Sequence, residues 1–262
     1  MTDKPPAISF EDVSKTYGDG RVLDGVSLEV HHGEFLAVVG ASGSGKTTLL
    51  RLVNRLIDPS KGTVRVEGQD VQTLDPVLLR RRIGYVFQGI GLFPHLTVAE
   101  NIAITPTLLG WERARIADRV GRLIELVRLD PGKHRDRHPA QLSGGEAQRV
   151  GVARALAAEP RVVLMDEPFG ALDPLVRDAL GDDYRRLHDQ LGLTTVMITH
   201  DVLEAVLHAD RIAVIDHGRL IACDTPGALM APSQHDAQVR ELMATPRRHA
   251  ERLRAVTGQP PP

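Results

Sequence analysis

One segment of nine residues constrains the fold of this chain more than any other: GASGSGKTT, from Gly40 to Thr48. It follows the apolar run FLAVV and precedes a stretch, 46–57, in which leucine and valine recur at helical spacing. A glycine, four other residues and then Gly-Lys-Thr, between a strand and a helix, form a loop whose backbone N–H groups point inward at phosphate. The segment therefore predicts a phosphate site at the start of a helix.

The same loop carries a charge and a hydroxyl group that suit a nucleotide. Lys46 can reach the β- and γ-phosphates as a point charge, and the hydroxyl of Thr47 can ligate Mg²⁺. The alternative, a plain glycine turn, does not account for the flanking strand and helix. We predict that a nucleotide contacts Gly40, Ala41, Ser42, Gly43, Ser44, Gly45, Lys46, Thr47 and Thr48.

Polar side chains also stand at the ends of three other strand-like runs. Asp166 and Glu167 follow VVLM, where one acid can hold Mg²⁺ through its waters and the other can polarise an attacking water. His200 follows TVMIT and Gln88 follows IGYVF, where each could contact a phosphate, the metal or the water. Taken singly, the acids could instead cap a helix and the histidine could be structural. Together with the glycine loop, they predict a site for a nucleotide and its metal.

The order of the strand and helix patterns predicts an α/β fold, with a mostly parallel sheet covered by helices on both faces. GTVRVEGQDV alternates like a surface hairpin, whereas from about 92 to 141 helical patterns dominate and indicate an insertion. We predict one domain over 7–245, with a helical subdomain at about 92–158 inserted in its core, and a C-terminal tail over 246–262.

Composition limits the class of partner. The formal net charge of −2 gives no general attraction to nucleic acid or to anionic lipid. No signal peptide is visible and the longest apolar runs are strand-sized, so we expect any membrane span to belong to another subunit. The single cysteine, Cys223, excludes an internal disulfide and fits a reducing cytosol. His134 and His138 lie one helical turn apart, but no third ligand at zinc spacing accompanies them.

The segment LSGGEAQR, at 142–149, places a serine and two glycines at the start of a predicted helix, which makes a second potential anion site. The glycine loop, Gln88, this segment, VVLMDEP, GALD and His200, in this order, resemble the ATP-binding cassette ATPase of an ABC transporter. The resemblance extends over residues 8 to about 257. Glu146 stands where the family commonly has glutamine, but the serine and the glycines are present, so we expect the nucleotide contacts to be kept.

This resemblance implies a P-loop NTPase fold of the ABC type, with an antiparallel β subdomain and a helical subdomain beside the core sheet. It also implies ATP and Mg²⁺ as cofactors. In that family two copies associate head to tail, and each ATP lies between the glycine loop of one copy and the LSGG segment of the other. The residues that face the partner's ATP are then Ser143, Gly144, Gly145 and Glu146.

The resemblance further assigns the catalytic roles. Thr47, Gln88 and Asp166 resemble the magnesium set. Glu167 resembles the general base and His200 the switch histidine, so that the catalytic set comprises Glu167, His200 and Gln88. The resemblance also explains why one chain carries two phosphate-facing helix starts, because each start is half of a composite site.

Two more residues and one region receive roles in the same way. Tyr17 resembles the aromatic residue that stacks on adenine, although a core position is the alternative for a lone tyrosine. Asp173 in GALD resembles the residue that links the two ATP sites. The region 92–141 resembles the subdomain that receives coupling helices of integral membrane permease subunits, with Gln88 at its hinge. The chain would then lie on the cytoplasmic side of the membrane as a peripheral subunit.

Local sequence narrows the resemblance to importers of small solutes. GLFPHLTVAENI and MDEPFGALDP resemble importers, and LMATPRRHAERL resembles importers of osmoprotectants such as glycine betaine, choline or carnitine, which also use a solute-binding protein. Polar amino acids, sulfonates and methionine remain alternative solutes. One alternative function is that of an ABC ATPase in translation or DNA repair, but such proteins usually carry two cassettes or long coiled coils, and this sequence shows neither. Another alternative is a P-loop kinase of small molecules, which would not need the LSGGE segment.

Overall fold

Strands and helices alternate along the chain, as the sequence predicts. The computed structural model describes residues 5–89, 91–170, 172–231, 237–244 and 248. Its strands are β1 (Ile8–Tyr17), β2 (Gly20–Val30), β3 (Phe35–Val39), β4 (Lys61–Val66), β5 (Gln69–Asp70), β6 (Ile83–Val86), β7 (Val162–Asp166), β8 (Thr194–Ile198), β9 (Arg211–Asp216) and β10 (Arg219–Asp224). Its helices are α1 (Lys46–Val53), α2 (Pro76–Arg82), α3 (Val98–Leu108), α4 (Arg113–Leu126), α5 (Pro131–His134), α6 (Gly144–Leu156), α7 (Pro174–Leu191), α8 (Val202–His208) and α9 (Pro226–Met230). Residues 237–244 are also helical.

The larger sheet confirms the predicted α/β fold class. Its strand order is β10-β9-β3-β8-β7-β6, and all neighbours are parallel except β10, which returns antiparallel beside β9. Strands β3, β7 and β8 are buried along their whole length, because two hydrophobic clusters cover the two faces of the sheet. The carboxyl ends of β3, β6, β7 and β8 meet at one edge, which is where a parallel sheet places its ligands.

The smaller sheet is antiparallel, with the order β2-β1-β4-β5. The predicted hairpin GTVRVEGQDV forms β4 and β5, joined by Glu67 and Gly68. Both of these residues have positive φ (51° and 75°), as a two-residue hairpin turn of the type I′ class requires. This sheet packs its apolar face on the same cluster that covers β3 and α1.

The region between β6 and β7 is helical, as predicted. Within the described residues of that region there are helices α3 to α6 and a single 3-10 turn, Pro139–Gln141, and no strand. Helix α4 covers its apolar stripe, which includes Leu123 and Ile124, against α3 and α6. The domain limits 7–245 and 92–158 remain predictions. Of the predicted tail 246–262, all but residue 248 lies outside the described residues.

The prediction for the first helix was wrong at its C-terminal end. The apolar spacing predicted a helix over 46–57, but α1 ends at Val53. Arg55 adopts a left-handed conformation (φ 51°), its N–H donates to Leu52 O (3.1 Å), and Leu56 N–H donates to Arg51 O (2.9 Å). This pair of bonds is a Schellman motif, which ends a helix and caps its last carbonyl groups. The later apolar residues therefore belong to the turn.

The parts of the chain that the structure describes contain no helix with both the length and the apolar character needed to cross a bilayer.

Candidate nucleotide-binding site

The glycine loop joins β3 to α1 along a path that only glycine can follow at two points. Gly40 has φ 154°, and a Cβ atom there would lie 2.0 Å from the carbonyl oxygen of Ile215. Gly45 has φ 107°, and a Cβ atom there would lie 2.7 Å from the carbonyl oxygen of Val22. The loop is therefore pressed against β2 and β9, so that its concave side faces outward from the sheet edge.

The first turn of α1 is left open for a ligand. Its N-cap is Gly45, and no side chain of the described residues caps it. The ammonium group of Lys46 folds back over the loop and donates to the carbonyl oxygens of Gly40 (2.9 Å) and Ala41 (2.8 Å). An ammonium group has three donors, so one remains for an anion. Burial lowers the pKa of Lys46, while the carboxylates of Glu167 and Asp166 act in the opposite direction.

Asp166 lies beside this loop, at the end of β7. It is buried, and the Thr47 hydroxyl donates to its Oδ1 at 3.2 Å. Burial raises the pKa of Asp166, and the hydrogen bond from Thr47 opposes that rise. A hydroxyl and a carboxylate oxygen at this distance are the hard ligands that Mg²⁺ prefers, so the residues fit the predicted metal. Ser44 adds a buried hydroxyl that has no hydrogen-bond partner among the described residues.

The three candidate catalytic side chains meet at one carboxylate. Glu167 Oε2 accepts a hydrogen bond from Gln88 Nε2 at 3.1 Å and lies 3.2 Å from His200 Nδ1. Gln88 and His200 each lie two residues beyond the end of their strand, because each strand ends one residue earlier than the run that predicted it. Glu167 itself has φ 44°, which is uncommon for a residue with a side chain.

One cavity of about 780 Å³ joins these groups to the glycine loop. Its size is in the range of pockets that hold ligands of the size of a drug or a nucleotide. Tyr17 is not in its lining; the side chain is 48% exposed and lies under the ammonium group of Lys15, 5.0 Å from the ring centroid. The lining consists of Val22, Ser42, Gly43, Gly45, Lys46, Thr47, Thr48, Gln88, Glu167 and His200.

The LSGGE segment lies outside that cavity, at the start of α6. Ser143 is the N-cap: its hydroxyl accepts from Glu146 N–H, and its own N–H donates to the Glu146 carboxylate at 2.7 Å, which forms a capping box. The other carboxylate oxygen lies 3.0 Å from Nε2 of the buried His134. The backbone N–H of Ser143 and then His134 lower the pKa of Glu146 to about 2. Ser143 and Gly144 are exposed.

Asp173 is also placed at a helix start rather than in the cavity. It is the N-cap of α7, where its carboxylate accepts from Val176 N–H at 3.1 Å. Capping a helix is the ordinary role of an aspartate at this position. The cap uses only Oδ1, and the side chain is exposed. The LSGG segment lies beside this helix start, since a Cβ atom on Gly145 would lie 2.7 Å from Val176 Cγ1. The two helix starts therefore pack closely together.

The sequence profile of the family described as ABC transporter matches residues 23–170, which include the glycine loop and the LSGGE segment. The chain belongs to the ABC transporter family. It carries the family's ATPase domain, a domain that binds ATP.

Relatives of this chain include ATP-binding proteins of transport and uptake systems. The choline transport ATP-binding protein OpuBA of Bacillus subtilis (strain 168) is 46% identical over 224 residues, which are 85% of this chain and 58% of OpuBA. The glycine betaine uptake system ATP-binding protein YehX of Escherichia coli (strain K12) is 46% identical over 229 residues, which are 87% of this chain and 74% of YehX. The chain thus spans little more than half the length of OpuBA.

A solved ABC cassette has the same fold. The dimeric structure of the ATP-binding cassette MJ0796, in a post-hydrolysis state with ADP and Pi, superimposes with a TM-score of 0.74 at 32% sequence identity. The match covers 84% of this chain and 98% of MJ0796. The predicted P-loop NTPase fold of the ABC type is therefore confirmed.

Sequence reasoning missed two residues of this ABC site. Val22 lines the cavity from β2 and supplies the carbonyl oxygen that faces Gly45. Tyr85, on β6, lies beside Asp166, and burial together with that carboxylate raises the pKa of its phenol. Neither residue stands in a functional motif. Tyr85 reaches the site because β6 pairs with β7, and Val22 reaches it because the smaller sheet packs against the glycine loop. The order of the strands and the packing of the two sheets were the information that the sequence lacked.

Proposed function

We propose that this ABC ATPase domain hydrolyses ATP to drive uptake of a small solute through a membrane permease. The observation that carries the proposal is the convergence of Gln88 and His200 on the carboxylate of Glu167, in the cavity that holds the glycine loop. A carboxylate beside a phosphate site, oriented by two neighbours, is the arrangement of a general base. The family membership and the importer names of the relatives support the same function.

The glycine loop and Lys46 hold the phosphates in this proposal. The N–H groups of the uncapped first turn of α1 point at the phosphate chain, and the Lys46 ammonium group donates its remaining proton to it. Thr47, Asp166 and Gln88 would hold Mg²⁺, which when bound neutralises charge on the phosphate oxygens. Tyr17 is proposed to stack on adenine; its exposure leaves the ring free to do so, although it lies outside the cavity lining.

Glu167 then accepts a proton from the attacking water, and the imidazole of His200 donates to the γ-phosphate. Because Ser143 and Gly144 are exposed and lie outside the cavity, we propose that they act on the ATP of a second copy of the chain. The dimeric structure of MJ0796 supports this arrangement. Glu146 completes the partner-facing segment, and Asp173 links the two sites.

A groove beside Gln88 is the proposed contact with the permease. It has a volume of about 460 Å³ and lies between β6, α3 and α6, where Phe87 and Phe93 are each 46% exposed. Aromatic side chains at a groove rim are common anchors of protein interfaces. Docking there would place the chain on the cytoplasmic side of the membrane as a peripheral subunit, next to the hinge of the helical subdomain.

A quaternary-amine osmoprotectant such as glycine betaine or choline is the proposed solute, delivered by a solute-binding protein. The names of OpuBA and YehX support it, since both are 46% identical to this chain. The alternatives are another solute, such as an amino acid or a sulfonate, or a non-transport ABC ATPase. The sequence LMATPRRHAERL, which also suggested the solute, lies partly outside the described residues.

Two measurements test the function. The rate of ATP hydrolysis per chain should rise with protein concentration, because two copies complete each site, and it should require Mg²⁺. Proteoliposomes that contain the chain and its permease should take up radiolabelled glycine betaine or choline only when ATP is enclosed on the side of the ABC subunit. Hydrolysis independent of concentration would contradict the composite site, and hydrolysis without uptake of any quaternary amine would contradict the solute.

A further inference from the structure

Arg177 occupies a position in α7 that helix stability alone disfavours. It lies in the first turn, where the helix dipole is positive, so a cation there is destabilising. Its guanidinium group reaches two other segments: Nη1 donates to Asp201 Oδ2 at 2.9 Å, and Nη2 donates to the carbonyl oxygen of Leu172 at 3.3 Å. The helix itself disfavours a cation here, so the benefit of the arginine comes from these two contacts with neighbouring segments.

Asp201, the residue after His200, both caps helix α8 and pairs with Arg177. Its Oδ1 accepts from Leu203 N–H and Glu204 N–H and so caps α8, which leaves Oδ2 for Arg177. Its own N–H donates to the hydroxyl of Thr199 at 3.0 Å. Both neighbours of His200 are thus fixed, while the His200 side chain itself is exposed and lies 3.2 Å from Glu167.

Leu172 precedes Asp173 in the segment that is proposed to face the second copy. It also packs beside the LSGG segment, since a Cβ atom on Gly144 would lie 3.7 Å from Leu172 Cδ2. One hydrogen-bonded path therefore runs from the carbonyl of Leu172 through Arg177 to Asp201, whose chain neighbour is His200. Through this path the segment 172–173 and the loop that carries His200 are joined by one side chain.

We propose that Arg177 is a positioning residue that makes the placement of His200 depend on the segment 172–173, and so on the presence of the second copy. The proposal rests on the function proposed above. The planar fork of arginine is essential to it, because one guanidinium group can hold a carboxylate and a carbonyl at once. A lysine would keep the charge but would hold only one of the two partners in a fixed direction.

Arg185 provides a matched control on the same helix. It donates to Asp210 Oδ1 and to the carbonyl oxygen of His208, both at distances below 3 Å, and its exposure is similar to that of Arg177 (28% against 23%). These contacts join α7 to the end of α8, away from His200. Arg185→Lys therefore repeats the chemical change without touching the path.

The test compares Arg177→Lys, Arg185→Lys and the unchanged chain. With Arg177→Lys, kcat for ATP should fall by about 10-fold to about 100-fold, the range expected when a reacting group is misplaced. ATP affinity should stay unchanged, because the glycine loop is untouched. Arg185→Lys should alter neither value. Asp201→Asn keeps the cap of α8 and removes the ion pair, so combining it with Arg177→Lys should lower kcat no further than either change alone.

A second readout follows His200 directly. In histidine-labelled protein, the NMR signal of the His200 ring, assigned by its loss in His200→Gln, should shift in Arg177→Lys and stay in place in Arg185→Lys. Equal effects of the two arginine changes on kcat, or an unmoved His200 signal, would overturn the proposal. If the unchanged chain hydrolyses no ATP, the proposed function fails, whereas the NMR comparison still decides the role of Arg177.

Discussion

Two helices of this chain begin with glycine-rich segments that look alike in sequence, yet their first turns are built in opposite ways. No side chain among the described residues caps the start of α1, its first turn has no acidic residue, and its loop contains glycines with positive φ. The start of α6 is closed on itself by the capping box of Ser143 and Glu146, with His134 behind the carboxylate. The first start can therefore accept an anion at its N–H groups, whereas the second already faces a carboxylate of its own chain.

The difference suggests a division of labour. An open N-terminus with a lysine over it can bind a phosphate chain without help. In the capped N-terminus, one backbone N–H donates to the Glu146 carboxylate and another to the Ser143 hydroxyl, so this start can add only a few contacts to a ligand that is already held elsewhere. Such a start suits the second half of a composite site. Four predictions test this contrast, from the largest expected effect to the smallest.

Ser143→Arg should abolish turnover while the isolated chain still binds ATP. The bulk and charge of the arginine occupy the place of the partner's γ-phosphate, whereas the α1 start is unchanged. Lys46→Ala is the opposite control and should lose ATP binding itself. Calorimetric titration with ATP and steady-state hydrolysis separate the two. Equal loss of binding and turnover in Ser143→Arg would place the serine in the same-chain site.

Glu167→Gln should lower hydrolysis by at least about 100-fold, the typical contribution of a positioned base. ATP binding should survive, because the amide keeps the shape of the side chain and removes a negative charge near the γ-phosphate. The two helix starts should then stay together on unhydrolysed ATP, and size-exclusion chromatography with Mg-ATP should show a dimer. Asp166→Asn, which weakens the metal ligands, should not accumulate that dimer. A monomeric Glu167→Gln protein with normal turnover would remove Glu167 from the mechanism.

His134→Gln should weaken ATP-driven dimerisation several-fold, because the Glu146 carboxylate loses a hydrogen bond worth about 1 kcal/mol that holds it in the capping box and away from the partner's phosphates. Adding Glu146→Gln should restore dimerisation, since the amide removes the charge and can still complete the capping box. His138→Gln, at an exposed histidine four residues further along the chain, is the control. Analytical ultracentrifugation in the Glu167→Gln background measures the effect. A double variant as weak as His134→Gln would mean that the histidine acts by packing alone.

The smallest effect concerns pH. The pKa of Glu146 is lowered to about 2 in the folded chain, below its ordinary value of 4.5. A lowered carboxyl pKa stabilises the fold at pH values above the ordinary value, and that contribution is lost as the pH falls towards 2. The free energy of unfolding of the wild-type chain should therefore exceed that of Glu146→Gln by on the order of 1 kcal/mol near neutral pH, because hydrogen bonds to a charged carboxylate are stronger than those to the neutral amide that replaces it. Urea titrations should show this excess disappearing between pH 4.5 and pH 2; an excess that persists at the acid end would exclude the carboxylate as its source.

The two helix starts also show what could be predicted from sequence. The glycine loop, the N-cap serine and the strand VVLMD are local signals, and the structure places each where it was expected. The pairing of Glu146 with His134 was not predicted, because it depends on a turn twelve residues away folding back onto α6. The roles of the site residues remain predictions. The early end of α1 was missed because Leu56 continues the apolar period while Arg55 leaves the helical conformation.

The backbone of Glu167 has a consequence for anyone who would make this protein more heat-resistant. Its left-handed conformation (φ 44°) costs a residue with a side chain about 1–2 kcal/mol, a cost that glycine escapes. A screen that selects only for survival at high temperature would therefore favour Glu167→Gly, and it would discard the proposed base in the same step. Thermal stability and ATP hydrolysis therefore place opposite demands on residue 167. Directed evolution of this chain should keep that residue fixed or select for hydrolysis from the first round.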